Sequence, residues 1–273
     1  MGNITDKIVA MLRSRIAVAV FCIPIFLLLA YNGGVAFALF AATVSVFAFL
    51  EFANLVKHIK KDIPKLIGSL GCVCMVFSFY GGEQILAGII LFVVFLMVLT
   101  FQLLKNDIAG SIITTGITSF GVIYTGWFLA HLVALRNLPS GKGYLLAMLA
   151  ITWLTDSGAY AVGTLFGKHK LPLKASPNKS YEGLMGACMG SFIGVIIAKL
   201  MFMKTLTGIH MITLAIVMFL AGQLGDLSES LLKRDAKVKD TDCSIPGHGG
   251  VLDRFDSLLF TAPAMFYYIK LFL

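Results

Sequence analysis

Carboxylates and basic residues near the C-terminus have the types and the spacing of a site that handles phosphate with a metal ion. In the stretch AGQLGDLSESLLKRD, Asp226, Glu229, Ser230 and Lys233 are spaced i, i+3, i+4 and i+7. A helix would therefore present all four side chains on one face. Two acidic groups one turn apart can bind a hard cation such as Mg²⁺. A solvated helix end with an ordinary Glu229–Lys233 ion pair is the alternative, and the depth of Asp226 in an apolar run argues against it.

The segment KVKDTDCSIPGHGGVLDRFDS follows directly. Its glycines, Gly249 and Gly250 among them, favour a tight turn whose backbone N–H groups are free to face an anion. Asp253 and Asp256, spaced i, i+3, open the last apolar run, and a helix N-terminus favours negative ligands such as phosphate. A cation held by these aspartates could bridge the same phosphate, as in metal-assisted phosphate chemistry. Simple capping of the helix start by the two aspartates is the structural alternative.

Two further segments contribute polar groups. Asp156 lies near the middle of an apolar run, where an isolated ionised carboxylate is costly unless it is paired or hydrated. This position favours a polar cavity or a cation site over a lone Asp that is paired with a Lys or hydrogen-bonded to Ser157 and Thr155. The loop GKHKLPLKASPNKSYEG carries Ser and Lys side chains that can bind phosphate oxygens. Its lysines are equally explained by a cytoplasmic loop of a membrane protein.

Only a membrane protein fits the composition around these residues. Of the 273 residues, 58% are hydrophobic and 13% are charged, and the mean hydropathy is +0.90. A soluble domain is about a quarter charged, so this chain has too little charge to cover a surface that faces water. The net charge of +8 is explained by basic loops between apolar runs, and we expect no binding of nucleic acid. The predicted fold class is an all-α, polytopic integral membrane protein.

Nine apolar stretches are long enough to cross, or nearly cross, the hydrocarbon core of roughly 30 Å. The third stretch is the shortest and the weakest candidate. We therefore predict about nine transmembrane helices, near residues 16–31, 34–56, 66–80, 84–104, 110–135, 144–167, 183–203, 209–231 and 256–273.

The basic residues predict the orientation of these helices. With the N-terminus in the cytoplasm, most of the 22 Lys and Arg residues fall in or beside cytoplasmic loops. Four basic residues fall on the outer side of the membrane, namely Arg136, Lys142, Lys204 and Lys270. One more, Lys199, lies near the outer end of a span. Since cytoplasmic loops carry an excess of Lys and Arg, this bias supports nine spans with the N-terminus inside.

The polar residues are unevenly distributed along the chain. Residues 1–140 form an apolar N-terminal part suited to lipid or subunit contact, and in it Glu51 is predicted to lie at the membrane interface. Residues 141–273 hold the polar segments and two cytoplasmic loops, near 168–182 and 232–255. Half of the 14 acidic residues lie close together there: Asp226, Glu229, Asp235, Asp240, Asp242, Asp253 and Asp256.

Residues 156–256 resemble the phosphatidate cytidylyltransferase family, also called CDP-diacylglycerol synthases. The segments DSGAY, with Asp156, and SPNKSYEG look like segments of that family. Asp242 departs from the family's signature, which usually has a small residue there, and this leaves the fine geometry of the loop open. The signature is matched in register by Ser230, Lys233, Arg234, Lys239, Asp240, Ile245, Pro246, His248, Gly249, Gly250, Val251, Asp253, Arg254, Phe255 and Asp256.

The resemblance implies a reaction and its partners. CTP and phosphatidic acid would give CDP-diacylglycerol and pyrophosphate, with Mg²⁺ as cofactor, in phospholipid biosynthesis. Membrane lipids would surround the protein, and a homodimer is expected. The protein would lie in the cell membrane (inner or plasma membrane). Its active site would face the cytoplasm, where CTP is available. Phosphatidic acid would enter sideways from the inner leaflet.

The resemblance also implies roles for individual residues. The metal would be held by Asp226, Asp253 and Asp256. Other residues would act on the phosphates or would orient the residues that act on them. These are Lys233, Arg234, Lys239, Asp240, His248 and Arg254, together with Asp226. The nucleotide would contact Gly249 and Gly250 of the turn, with Asp156 at the floor of the site and Ser176, Lys179, Ser180 and Glu182 from the other loop.

Two other functions remain open at this point. A CTP-dependent polyprenol or dolichol kinase would use related chemistry but would leave CDP instead of pyrophosphate. An ion transporter could use Asp156 and Asp226 as its pathway, but a transporter needs access from both sides of the membrane. Here the charged groups cluster on one side, which counts against transport.

Overall fold

The computed structural model describes residues 23–83, 85–106, 108–238, 241 and 249–273. Within these residues the fold is all-helical, and the only β pairing is an isolated bridge between Lys170 and Ser180. Each predicted apolar stretch corresponds to one helix of the described part. The helices are α1 (Ile23–Asn32), α2 (Gly34–His58), α3 (Lys65–Tyr80), α4 (Ile85–Lys105), α5 (Ser111–Asn137), α6 (Gly141–Phe166), α7 (Tyr181–Met201), α8 (Gly208–Asp235) and α9 (Leu252–Phe272).

Six of these helices are long and apolar enough to cross a membrane, namely α2, α4, α5, α6, α7 and α8. The third apolar stretch forms the 16-residue helix α3, which is too short to join that group. The all-α membrane-protein class is thus supported by the structure. The number of spans, about nine, and the cytoplasmic N-terminus stay predictions.

Helices α6 and α7 pack closely because glycines lie at their contact. A Cβ on Gly194 would lie 2.8 Å from the Cα of Ile151, and a Cβ on Gly190 would overlap the backbone carbonyl of Leu154. In a bilayer, close approach of backbones replaces the hydrophobic effect as a driving force for packing. The glycines of α7 therefore fix its contact with α6.

A similar contact brings α8 and α9 together at the polar end of the bundle. A Cβ on Gly225 would lie 2.5 Å from the carbonyl oxygen of Asp256 and 3.0 Å from the Cα of Ser257. Because only a glycine leaves this space, the backbone of α9 lies directly against α8. The adjacent residue on α8, Asp226, is thereby placed opposite the second turn of α9.

Helix α5 contains a π-helical turn, Val122–Trp127, which the sequence analysis did not predict. A π turn leaves backbone carbonyls without their usual intrahelical partners. One of them is satisfied from α2, because the buried hydroxyl of Ser45 donates to the carbonyl oxygen of Thr125 at 2.7 Å. This contact ties α2 to α5 on the apolar side of the bundle.

We expect the variant Gly190→Ala to be less stable than the wild-type protein by roughly 1–3 kcal/mol, because the added methyl group must displace the backbone of α6. The measurement is reversible unfolding in mixed detergent micelles. Gly88→Ala is the matched control, since a Cβ there meets no atom within 4 Å. Equal stability of the two variants would contradict the packing argument.

Candidate functional site

The polar residues gather where the C-terminal ends of α6 and α8 meet the N-terminal ends of α7 and α9. A cavity of about 720 Å³ opens there, large enough for a nucleotide-sized ligand. The residues around it come from these four helices and from the loop between α6 and α7. The polar side chains that line it are Asp156, Tyr160, Thr164, Lys170, Ser176, Asn178, Lys179, Ser180, Gln223, Asp226, Asp256 and Ser257.

Three aspartates from three different helices face this cavity: Asp156 from α6, Asp226 from α8 and Asp256 from α9. The Ser257 hydroxyl donates to Oδ1 of Asp156 at 3.4 Å, which links α6 to α9. The Lys179 ammonium lies 2.8 Å from Oδ2 of Asp226. The cavity therefore combines several acidic oxygens with few basic groups.

The loop between α6 and α7 is folded back over the cavity. The N–H of Leu171 donates to the carbonyl oxygen of Lys179 at 2.9 Å, so the two ends of the loop run side by side. Ser180 is the N-cap of α7, and its Oγ accepts the N–H of Gly183 at 3.1 Å. These contacts place Ser176, Lys179 and Ser180 along the cavity wall, and their contact with a nucleotide stays a prediction.

Glu182, predicted in the same site, has a different set of partners. Its carboxylate lies 2.5 Å from Nδ1 of His169 and accepts the backbone N–H of His169 at 3.2 Å. The side chain thus holds the first residues of the loop against the start of α7, and it is not among the residues that line the cavity. Direct contact between Glu182 and a nucleotide stays a prediction.

A second polar cluster lies beside the cavity, between α8 and α9. The Lys233 ammonium lies 2.8 Å from Oε2 of Glu229 and 2.7 Å from Oδ1 of Asp253. The side chains of the three residues are 15%, 2% and 10% exposed, so the pairing is largely shielded from water. The alternative of a solvated Glu229–Lys233 pair at a helix end is therefore wrong.

The carboxylate of Asp253 is surrounded by donors of the protein itself. Besides Lys233, it receives the N–H of Gly250 at 2.9 Å and, from Thr241, the N–H at 3.2 Å and the hydroxyl at 2.8 Å. Gly249, which directly precedes Gly250, has a φ of 79°, a conformation that favours glycine. Asp253 thus folds the turn before α9, and its predicted role as a metal ligand stays a prediction.

The two arginines predicted in the site, Arg234 and Arg254, are both exposed. Arg234 is exposed at the end of α8, where its Nε donates to the carbonyl oxygen of Ala175 at 3.3 Å and so joins α8 to the α6–α7 loop. Arg254 is exposed in the first turn of α9. Lys239, Asp240 and His248 lie outside the residues that the structure describes.

The acidic side chains of the cavity can be compared with the ligands that a divalent cation requires. Among the described residues, no three His, Cys, Asp or Glu side chains converge closely enough to form a metal site by themselves. Mg²⁺ is usually held by one or two carboxylates together with the phosphates of the substrate and water. Asp226 and Asp256, with Asp156 nearby, fit that mode of binding because their oxygens line one open cavity.

Sequence reasoning missed two residues, Glu51 and Thr241. That Glu51 lies at the membrane interface stays a prediction, but the residue is 2% exposed and its carboxylate contacts the start of α9, a contact that the sequence analysis did not predict. The argument applied to Asp156, that a carboxylate in an apolar run needs partners, could have identified it. Thr241 carries no such signal, since a single threonine in a polar loop is ordinary.

Comparison with known proteins gives an independent view of the chain. The sequence profile of the cytidylyltransferase family matches residues 13–272. The phosphatidate cytidylyltransferase of Bacillus subtilis is 33% identical over 267 residues, which cover 96% of this chain and 98% of that protein. Proteins of the same name from Staphylococcus epidermidis and Staphylococcus aureus are 34% and 32% identical, over 93% of this chain and 97% of each of theirs.

We expect Asp253→Ala to lower the free energy of unfolding by about 3–5 kcal/mol, because it removes one partner of a buried ion pair and leaves the donors of Thr241 and Gly250 unsatisfied. Unfolding in detergent measures this loss. The control is Asp62→Ala, which breaks the exposed Lys57–Asp62 pair at 3.7 Å and should cost at most about 1 kcal/mol. Similar losses in the two variants would show that the buried pairing is not special.

Proposed function

The chain belongs to the cytidylyltransferase family, and on that basis we propose that it transfers a cytidylyl group from CTP to phosphatidic acid. The products are CDP-diacylglycerol and pyrophosphate, which makes the protein a nucleotidyltransferase of phospholipid biosynthesis. The observation that carries this function is the match to phosphatidate cytidylyltransferases over nearly the whole length of both chains. The cavity with its three aspartates supports it, because such a cavity suits the phosphates of a nucleotide and a cation.

The reaction is an in-line displacement at phosphorus. An oxygen of the phosphatidate phosphate is already ionised at neutral pH, so it needs no side chain to remove a proton. It forms a bond to the α-phosphorus of CTP while the bond from that phosphorus to the bridging oxygen of the β-phosphate breaks. The electron pair leaves with pyrophosphate, and the protein contributes chiefly position and charge.

Residues of the cavity supply that position and charge. Lys179 and Lys170 line the wall together with Ser176, and these cationic and hydroxyl groups suit the phosphates of CTP. Asp226 and Asp256 would hold Mg²⁺, which when bound neutralises phosphate charge during the displacement. Lys179 already pairs with Asp226 at 2.8 Å, so it lies where phosphate and metal would meet.

The placement of the site in the membrane is also part of the proposal. We propose that the cavity faces the cytoplasm, where CTP is available, and that the protein lies in the cell membrane as a multi-pass protein. The bias of basic residues toward the loops at this end of the helices supports this orientation. Phosphatidic acid would approach from the inner leaflet between membrane lipids, and a homodimer remains an expectation from the family resemblance.

The proposed reaction predicts release of pyrophosphate by the purified protein in mixed micelles that contain CTP, phosphatidic acid and Mg²⁺. Omission of any one of the three should abolish the release, and CDP-diacylglycerol should appear in equal amount. Formation of CDP in place of pyrophosphate, with a polyprenol or dolichol as acceptor, would instead identify a lipid kinase. No turnover of any of these substrates by folded protein would reject the proposal.

The predicted metal ligands can be tested by single substitutions. Asp226→Asn and Asp256→Asn should each lower kcat roughly 100-fold or more, since each removes an anionic oxygen from the groups that organise charge in the transition state. The control is Asp235→Asn at the exposed end of α8, which should leave kcat within about twofold of the wild-type value. Near-normal activity of a folded Asp256→Asn protein would exclude Asp256 as a metal ligand.

A further inference from the structure

Glu51 lies in the apolar N-terminal part of the chain, far in sequence from every residue of the cavity. Its carboxylate is nevertheless buried against the start of α9. Oε1 accepts the N–H of Val251 at 2.8 Å, and Oε2 accepts the N–H of Leu252 at 2.8 Å. A carboxylate can be buried among helices when hydrogen bonds of this kind replace its water. Both oxygens of Glu51 therefore hold the backbone of α9.

The start of α9 depends on such an acceptor. The first N–H groups of a helix have no partner within the helix, and a polar side chain at the N-cap usually satisfies one of them. Here the N-cap residue is Val251, whose side chain has no acceptor atom. A negative charge is also favourable at a helix N-terminus because of the helix dipole. The carboxylate of Glu51, a residue of α2, therefore takes the place of the capping side chain that Val251 does not provide.

Gly250 provides the space for this contact. A Cβ built on Gly250 would overlap both Oε2 of Glu51 and Oγ1 of Thr241. Any other residue at position 250 would therefore push the carboxylate of Glu51 away from the helix. The second glycine of the HGG sequence thus lets the backbone turn meet an acidic side chain of α2.

The cap is connected to both aspartates at the start of α9. The Thr241 hydroxyl lies 2.8 Å from Oδ2 of Asp253 and 3.4 Å from Oε2 of Glu51, so it bridges the two carboxylates. Asp253 follows Leu252 directly and pairs with Lys233. Asp256 follows one turn later and faces the cavity. A shift of the first turn of α9 would move both aspartates.

We infer that Glu51 is a positioning residue for the transfer reaction, holding the first turn of α9 so that Asp253 and Asp256 are correctly placed against α8. The kinetic part of this inference rests on the proposed function. The structural part, a cap on α9 supplied by α2, does not.

The test compares Glu51→Gln with Ser45→Ala. In Glu51→Gln one acceptor oxygen becomes an NH₂ group that faces a backbone N–H, so the start of α9 loses part of its cap. We expect kcat to fall roughly a hundredfold, the effect of misplacing a catalytic group by about 1 Å, and the Mg²⁺ concentration for half-maximal activity to rise several-fold. Ser45→Ala also removes a buried hydrogen bond of α2, at 2.7 Å to Thr125. It should lower stability while leaving both kinetic quantities within about twofold of the wild-type values.

A second measurement does not depend on activity. Hydrogen–deuterium exchange should show the amides of Val251 and Leu252 to be protected in the wild-type protein and in Ser45→Ala, and to exchange at least tenfold faster in Glu51→Gln. Rapid exchange of these two amides in the wild-type protein would overturn the inference even if Glu51→Gln did not fold.

The two measurements separate the possible failures. Protected amides in a wild-type protein that does not use CTP would reject the proposed function and leave the cap in place. A folded Glu51→Gln protein with wild-type kcat and Mg²⁺ dependence would reject the positioning role. Equal kinetic losses in Ser45→Ala and Glu51→Gln would reject it as well, since they would reflect general damage to α2.

Discussion

The polar end of this helix bundle depends on one buried ammonium group held between two carboxylates. Lys233 joins Glu229 of its own helix to Asp253 of α9, and all three side chains are largely removed from water. In such surroundings each charge is tolerated only because the others are present, so neither helix can slide without leaving a buried charge unpaired. The register of α8 against α9 follows from this pairing, and Gly225 allows the backbones to come close enough for it.

With α8 and α9 in this register, the acidic side chains of the two helices have two different kinds of surroundings. Glu229 and Asp253 both pair with the ammonium of Lys233, whereas Asp226 and Asp256 face an open cavity whose wall also carries Asp156. Lys179 and Lys170, which line the same cavity, offset only part of this negative charge. Phosphate groups would be repelled by the cavity unless a cation reversed the sign, which is the physical reason that a divalent metal suits this site.

The sequence predicts the helices well because length and hydropathy decide them almost alone in a membrane protein. It also predicts the residues of the cavity where the signal is local, as with Asp226. Local spacing could not assign different surroundings to Asp253 and Asp256, because both are aspartates and they lie one turn apart on the same helix. One faces Lys233 and the other faces the cavity because of how α9 sits on α8, and that is a tertiary property. The π turn of α5 is likewise a response to packing and has no local sequence signal.

Glu51 alters the view of the N-terminal part of the chain. Hydropathy alone assigns residues 1–140 to lipid or subunit contact, because nothing in their composition points to chemistry. The carboxylate that caps α9 comes from α2, about 200 positions earlier in the chain, so α2 takes part in holding the turn at Gly249 and Gly250. The residues that a signature would identify are confined to the C-terminal half, but their geometry is set from outside it. A catalytic half folded without α2 would lack the acceptor at the start of α9, so the site is a property of the whole bundle.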